Sequence, residues 1–407
     1  MENITKIANY NLPRVGLFIL FALPLVPSNI RAIAILFFGV TILALAFKRR
    51  FHFDFKFFLL NAGLYLSFAI TVLYSDNMDI AIRKLEHLSA LIVFPFIFAL
   101  ITPEERKGLV GNFHKYLWVY IVAVFLFNTI AFIWFFATRF SFEEMLVHFH
   151  TVLTLQSGKF NIHPIYLSMH CGLAVLFSLF LLKRNKNRTQ VASLILMDTV
   201  IIAFLLLYAK KGPLIAVVVI LTLFMLFQQN KRFIKPYLIA IVTLTFLIIA
   251  IPKTRNRFVE LVKIESLDSQ VMNSTNIRYA IYTNAEEVIA ESPLIGYGIG
   301  DYRDVLIDRY KVKGEDRLIL GKYNAHNQYF SILLIGGVIS LIVFLLTIGI
   351  NLLYAVRFDN QLLILTLIFY GIVMFTENIL EREHGVIFFS LFLNFFTLKS
   401  LFASEEA

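Results

Sequence analysis

Hydrophobic residues in this chain gather into long runs separated by short polar connections, and about twelve of these runs approach the length of a bilayer-crossing helix. They cover 15–26, 30–47, 57–74, 88–101, 116–137, 164–182, 191–209, 212–227, 236–251, 329–354, 362–375 and 385–398. The pattern predicts an all-α polytopic membrane protein of about twelve spans. One long polar stretch, 252–326, breaks the rhythm. It ends in Asn324-Ala325-His326-Asn327-Gln328, with the histidine where the next apolar run begins. The chain therefore divides into nine spans (1–251), a polar segment carrying the candidate chemistry (252–326), and three spans with the C-terminal end (327–407).

Composition agrees: 59% hydrophobic residues cannot be hidden inside one soluble core of 407 residues. The net charge of +10 alone would suggest nucleic acid as a partner. Its Lys and Arg residues sit in short loops between apolar runs, which is the pattern of membrane topology, so nucleic-acid binding is set aside. The single cysteine, Cys171, excludes an intramolecular disulfide. The first run contains Pro24, is followed at once by Pro27 and leads directly into another run, so it reads as a span and not a cleaved leader.

Orientation follows from the basic loops. Lys48-Arg49-Arg50 with Lys56, Arg106-Lys107 with Lys115, the cluster from Lys183 to Arg188, and Lys231-Arg232 with Lys235 fall on one side if twelve spans alternate. That side is expected to be the cytoplasm. Both termini are then inside, and 252–326 lies outside together with the connections around 74–87, 138–163 and 376–384.

Lys210-Lys211-Gly212-Pro213 departs from the charge rule, because alternation puts this short basic connection outside. Lysines snorkelling to the interface and lysines facing an anionic ligand both explain it. Segment 252–326 holds eleven Lys or Arg and eleven Asp or Glu, a balance that suits folded structure better than a charged tail. Within it, Ser274-Thr275-Asn276 offers N-caps for a helix reaching about residue 292, with Ile277, Ile281, Val288 and Ile289 on one stripe and Arg278 and Tyr282 on another face. Pro293 stops the helix, and the glycine-rich turn Ile295-Gly296-Tyr297-Gly298-Ile299-Gly300-Asp301 follows. It does not join a strand to a helix, so a dinucleotide fold is rejected. The glycines let backbone amides approach a ligand or let the loop pack closely on the spans.

A Lys-Gly pair opening a span, an Asn-x-Arg helix ending in Ser-Pro-Leu-Ile-Gly-Tyr-Gly-Ile-Gly, and His-Asn-Gln-Tyr leading into a span with Gly336-Gly337 together resemble the O-antigen ligase family. That superfamily also holds O-antigen polymerases and bacterial protein O-oligosaccharyltransferases. The resemblance implies a GT-C-type fold and transfer of a glycan from undecaprenyl diphosphate to an acceptor hydroxyl, foremost that of lipid A-core, at the periplasmic face of the bacterial inner membrane. It implies no cofactor and no metal.

Carried over by motif, His326 matches the family histidine that activates or orients the acceptor hydroxyl, and Arg278 the loop arginine that binds the donor diphosphate. Lys211 stands where ligases usually have arginine, a departure that keeps the charge and loses the bidentate fork. Physical logic supports these roles, since a diphosphate leaving group needs fixed cations and histidine titrates nearest neutral pH. Lys210, Arg255 and Arg257 are further candidate phosphate ligands. Tyr282, Asn324 and Asn327 are candidate supports. Glu377, Glu381 and Glu383 suit either orientation of His326 and sugar binding or a solvated turn, and His163 and Tyr166 suit either the site or an interface anchor. A metal site from His148, His150 and His163 is disfavoured by their spacing. A lipid-linked glycan transporter is the more distant alternative, but no repeated halves are visible.

Overall fold

The computed structural model describes residues 11–49, 51–156, 158–160, 162–228, 234–262 and 273–406. Arg50 and the pair Lys231-Arg232, both used for orientation, lie outside these residues. Among the described residues every regular element is helical and no strand occurs. The first helices are α1 (Asn11–Phe21), α2 (Ser28–Lys48), α3 (Phe55–Thr71), α4 (Met78–His87), α5 (Ala90–Ala99), α6 (Pro103–Val110) and α7 (Phe113–Thr138). They are followed by α8 (Phe142–Gln156), α9 (Pro164–Arg184), α10 (Arg188–Tyr208), α11 (Lys211–Leu226), α12 (Ile234–Ala250) and α13 (Pro252–Val262). The remaining helices are α14 (Ser274–Glu291), α15 (Tyr302–Val312), α16 (Asp316–Gly321), α17 (Gln328–Arg357), α18 (Gln361–Met374) and α19 (Glu383–Glu406).

Each of the twelve hydrophobic runs falls on an apolar helix. Seven of these, α2, α3, α7, α9, α10, α17 and α19, are long and apolar enough to cross a membrane, and the bent pair α12–α13 adds an eighth if it is counted as one span. The helices α1, α5, α11 and α18 are apolar but only 10–17 residues long. The described residues thus hold twelve apolar helices, of which seven or eight are long enough to span, the pattern of a multi-pass membrane protein.

Two helices form the interior. The apolar windows of α9 and α19 are 89% buried, against 33–44% for the other five long helices. Helix α19 contributes an aromatic column. Phe392 and Phe396 stack at 5.5 Å, and the ring of Phe177 from α9 packs edge-on against both, at 5.1 and 5.7 Å. Each such pair adds about 0.5–1.5 kcal/mol beyond area burial. Polar side chains tie the same helices together: Asn351 of α17 donates to Asn61 Oδ1 of α3 at 2.8 Å and accepts from Thr397 Oγ1 of α19 at 2.5 Å. Asp198, the ionisable residue inside the seventh run, accepts from Ser178 Oγ at 2.6 Å. A polar group in an apolar interior is costly without such a partner.

The polar segment is held down by backbone. Helix α17 is broken at Gly336-Gly337, where the dihedrals leave the helical region and Gly337 has φ +61°. The freed carbonyls of Leu334 and Ile335 accept from Tyr297 N at 2.8 Å and Gly298 N at 2.9 Å, while Val338 N donates to Pro293 O at 2.8 Å. A Cβ on Gly337 would lie 2.2 Å from the Leu294 backbone, and one on Gly296 2.7 Å from that of Ile335. The glycine-rich turn is therefore a strap bonded into a broken helix, and of its two sequence readings the packing one describes it. Asp301 fastens the far end by accepting from Asp76 N at 2.8 Å and Asn77 N at 3.0 Å. The balanced charges pair internally, Arg309 of α15 with Glu287 and Glu291 of α14, and Lys313 with Glu287.

Candidate functional site

Helix α14 carries Arg278 to the site. Its N-cap is Asn273, one residue before the predicted candidates, whose Oδ1 accepts from Thr275 N at 2.9 Å and Asn276 N at 2.8 Å. Asparagine is among the best N-caps because its side-chain oxygen takes over an orphan backbone donor. Ser274 and Thr275 are thereby free for another task, and their hydroxyls bond the ammonium of Lys211 at 3.3 and 2.9 Å. Of the predicted apolar stripe, Ile281 and Val288 are fully buried, joined by Ala285.

Between α10 and α11 the chain reverses at Ala209, whose φ of +49° is left-handed, so consecutive side chains take different surroundings. Lys210 is the N-cap of α11; its carbonyl accepts from Leu214 N at 3.2 Å, and its ammonium makes no hydrogen bond or ion pair among the described residues. Gly212 brings this helix start against the loop after α18: a Cβ there would meet Thr376 Oγ1 at 2.2 Å. That contact carries the lysine pair to Glu377.

A cavity of about 460 Å³ results, lined by Lys210, Lys211, Lys253, Arg257 and Arg278 with a single carboxylate, Glu377. The rest of its wall includes His150, His163 and Tyr282, with Ile165, Ile215, Leu261 and Phe375 supplying apolar surface. Burial lowers the pKa of Lys210, Glu377 opposes that, and Arg257 and Arg278 add to it. Burial, with Lys210 and Arg382 next, drops His163 to about 4, and burial with Lys253 and Lys210 does the same to His150, so both are neutral near pH 7. Glu260, outside the wall, pairs with Lys211 and Arg257, and five crowded cations against two carboxylates are stabilised by a polyanion.

His326 stands one side chain behind this wall. Its Nδ1 lies 2.9 Å from Glu377 Oε1, and the other oxygen of Glu377 receives Arg278 at 3.4 Å. Burial would raise the Glu377 pKa, but the hydrogen bond and charge of His326, with Arg278 and His163, outweigh it and leave the carboxyl below its ordinary value. An ionised carboxylate only accepts, so Nδ1–H donates to it, and in the neutral imidazole Nε2 is then the acceptor. His326 itself has φ +43°. Its backbone N–H donates to Asn324 Oδ1 at 3.1 Å, and its carbonyl, together with that of Phe375, accepts from the Tyr282 hydroxyl at 3.1 and 2.9 Å. Asn324 is anchored on Glu381 at 2.6 Å.

The candidates thus separate. Arg278, Lys210, Lys211, Arg257, Tyr282, Glu377 and His163 share one cavity, with His326 on Glu377. Arg255 does not: it is exposed and outside the wall. Positions 255 and 257 cannot share a helix face, whereas 253, 257 and 261 can, and Lys253, Arg257 and Leu261 all line the cavity. Lys253 was missed, and that i, i+4, i+8 spacing was its signal. His150 was weighed only as a metal ligand. Tyr166 is buried away from the cavity, with its hydroxyl 3.3 Å from Ile379 O. Asn327 caps α17 by accepting from Tyr329 N at 2.9 Å. Glu381 holds Asn324, Tyr302 and Asn378, and Glu383 pairs with the buried Arg31 at 3.4 Å.

No curated protein matches the chain. Residues 199–345 match the family model described as O-antigen ligase, a stretch that contains Lys210, Lys211, Arg278 and His326 and leaves His163 and Glu377 outside it. Over this stretch, from within α10 to beyond the break in α17, the chain is similar to the O-antigen ligase family.

Proposed function

We propose that this protein transfers a glycan from undecaprenyl diphosphate to an acceptor hydroxyl at the periplasmic face of the inner membrane, foremost in ligation to lipid A-core. The observation that carries the reading is the cavity whose wall combines five cations with apolar side chains, because a lipid diphosphate needs both. The all-helical architecture is compatible with a GT-C-type enzyme.

In this scheme His326 Nε2 takes the proton of the acceptor hydroxyl while Glu377 holds the ring and stabilises the imidazolium. The acceptor oxygen forms a bond to the anomeric carbon of the donor sugar. The bond from that carbon to the phosphate oxygen breaks, and its electron pair leaves with the diphosphate. Lys210, Arg278 and Arg257 stabilise that charge where water is partly excluded, and fixed cations are worth most there. The protein's own cations supply the neutralisation, so the scheme needs no metal.

The test is transfer from purified lipid-linked glycan to lipid A-core in a chelator-containing buffer. Product formation is expected, and strict dependence on an added divalent metal overturns the metal-free scheme. In a deletion strain, loss of the whole lipopolysaccharide ladder with accumulation of lipid-linked polymer is the ligase outcome. A core carrying one repeat unit indicates a polymerase, and movement of lipid-linked glycan between leaflets without a new glycosidic bond indicates a transporter.

A further inference from the structure

The two adjacent lysines at the start of α11 have different surroundings. An ammonium has three N–H donors and no more. Those of Lys211 meet three acceptors: Glu260 Oε2 at 2.9 Å, Thr275 Oγ1 at 2.9 Å and Ser274 Oγ at 3.3 Å. Its side chain is only 9% exposed. Ser274 Oγ also donates to Glu260 Oε2 at 3.1 Å, which closes the group into a ring of bonds. Lys210, by contrast, reaches the same cavity with no partner among the described residues.

We infer that Lys211 is a positioning residue, the centre of a clasp joining α11, α13 and the first turn of α14, and that Lys210 is the lysine left to meet donor phosphate. The geometry gives the clasp an object. Arg278 lies one turn beyond Ser274 and bonds the Ser274 carbonyl at 3.4 Å, so whatever fixes Ser274 and Thr275 fixes the helix turn that delivers Arg278 to the cavity and to Glu377. A phosphate reaching for Lys211 has to displace one of three existing partners, one of them a carboxylate that already neutralises the charge. Glu260 also receives Arg257 at 3.5 Å, so the clasp sets a second cavity cation as well.

This inference rests on the donor reading above, and the experiment separates the two. Purified Lys211→Met, Glu260→Gln and the double variant are compared for thermal midpoint and for donor KM with lipid-linked glycan, beside Lys210→Met and Arg278→Ala. The clasp predicts that both single variants raise donor KM by about tenfold, the scale of one charge-assisted hydrogen bond. The double variant is then no worse than either single one, and the thermal midpoints show the same non-additivity. Lys210→Met is expected to raise donor KM independently, so its effect multiplies with that of Lys211→Met. If Glu260→Gln leaves donor KM at or below wild type while Lys211→Met raises it, Lys211 is itself a phosphate ligand and the inference falls. Additive thermal midpoints also overturn it. Coupled midpoints with unchanged donor KM in all variants, Lys210→Met and Arg278→Ala included, overturn the donor reading and leave the clasp as an element of the fold.

Discussion

Nδ1 of His326 and Oε1 of Glu377 lie 2.9 Å apart, although 51 positions and a broken helix separate them in the chain. The pair joins the start of one apolar helix to the end of another, and Glu377 is also where the cation-lined cavity begins. Removing the base and removing its holder therefore have different kinetic signatures. His326→Ala is expected to lower kcat by about a hundred- to ten-thousand-fold. Glu377→Gln loses the carboxylate that selects the Nε2-basic tautomer and is expected to cost about a hundredfold or more in kcat. Because Arg278 stays in place in Glu377→Gln, its donor KM is expected to hold. Wild-type kcat in that variant removes the pair from the mechanism.

The cavity cations are read through the donor. Arg278→Ala and Lys210→Met are each expected to raise donor KM by about tenfold or more, since each removes a charge-assisted contact to phosphate. Arg255→Ala is expected to behave as wild type, because Arg255 is exposed outside the wall. An effect of Arg255→Ala equal to that of Arg278→Ala would refute the assignment of the cavity as the donor site.

The strap in the broken helix gives a stability prediction that is independent of chemistry. Gly337→Ala combines φ +61° and ψ −161°, a region essentially confined to glycine and costing about 1–3 kcal/mol for a residue with a Cβ, with a contact of 2.2 Å to the Leu294 backbone that has no flexible side chain to yield. A marked fall in thermal midpoint and in folded yield is expected. Gly349→Ala in the same helix meets nothing within 4 Å and is expected to be neutral or stabilising by up to about 1 kcal/mol. Equal midpoints for the two variants would disprove the strap as a structural requirement.

The two cavity histidines contribute to the acid side of the pH–stability profile. Folding lowers His150 and His163 from an ordinary value of 6.5 to about 4, so between these limits the unfolded chain binds more protons than the native one. Stability contributed by neutral His150 and His163 is therefore complete above pH 6.5 and lost as pH falls toward 4. Glu377, with its depressed pKa, loses its contribution only below the ordinary carboxylate value of 4.5. The thermal midpoint is expected to fall from pH 6.5 to 4.5, with a shallower slope in His150→Gln and His163→Gln. Wild-type slopes in both variants would show that other groups carry the acid sensitivity.

Much of the fold was legible in sequence because it depends on near neighbours. Twelve apolar runs became twelve apolar helices, the helix carrying Arg278 ended where Pro293 stops it, and the lysine pair sits in a short connection, since hydrophobic run length, helix periodicity and proline are local properties. His326 and Arg278 were likewise readable as chemistry. Only the tertiary structure decided that Glu377 and not Asn327 holds His326, that Lys253 lines the cavity while Arg255 does not, and that Lys211 is enclosed by Glu260, Ser274 and Thr275. It alone assigned the glycine-rich turn to backbone pairing with Leu334 and Ile335. A run of residues records what each side chain can do and which face of its helix it occupies. Which donor meets which acceptor across 51 or 64 positions depends on how the helices pack, and that packing is settled by the whole set of buried surfaces at once.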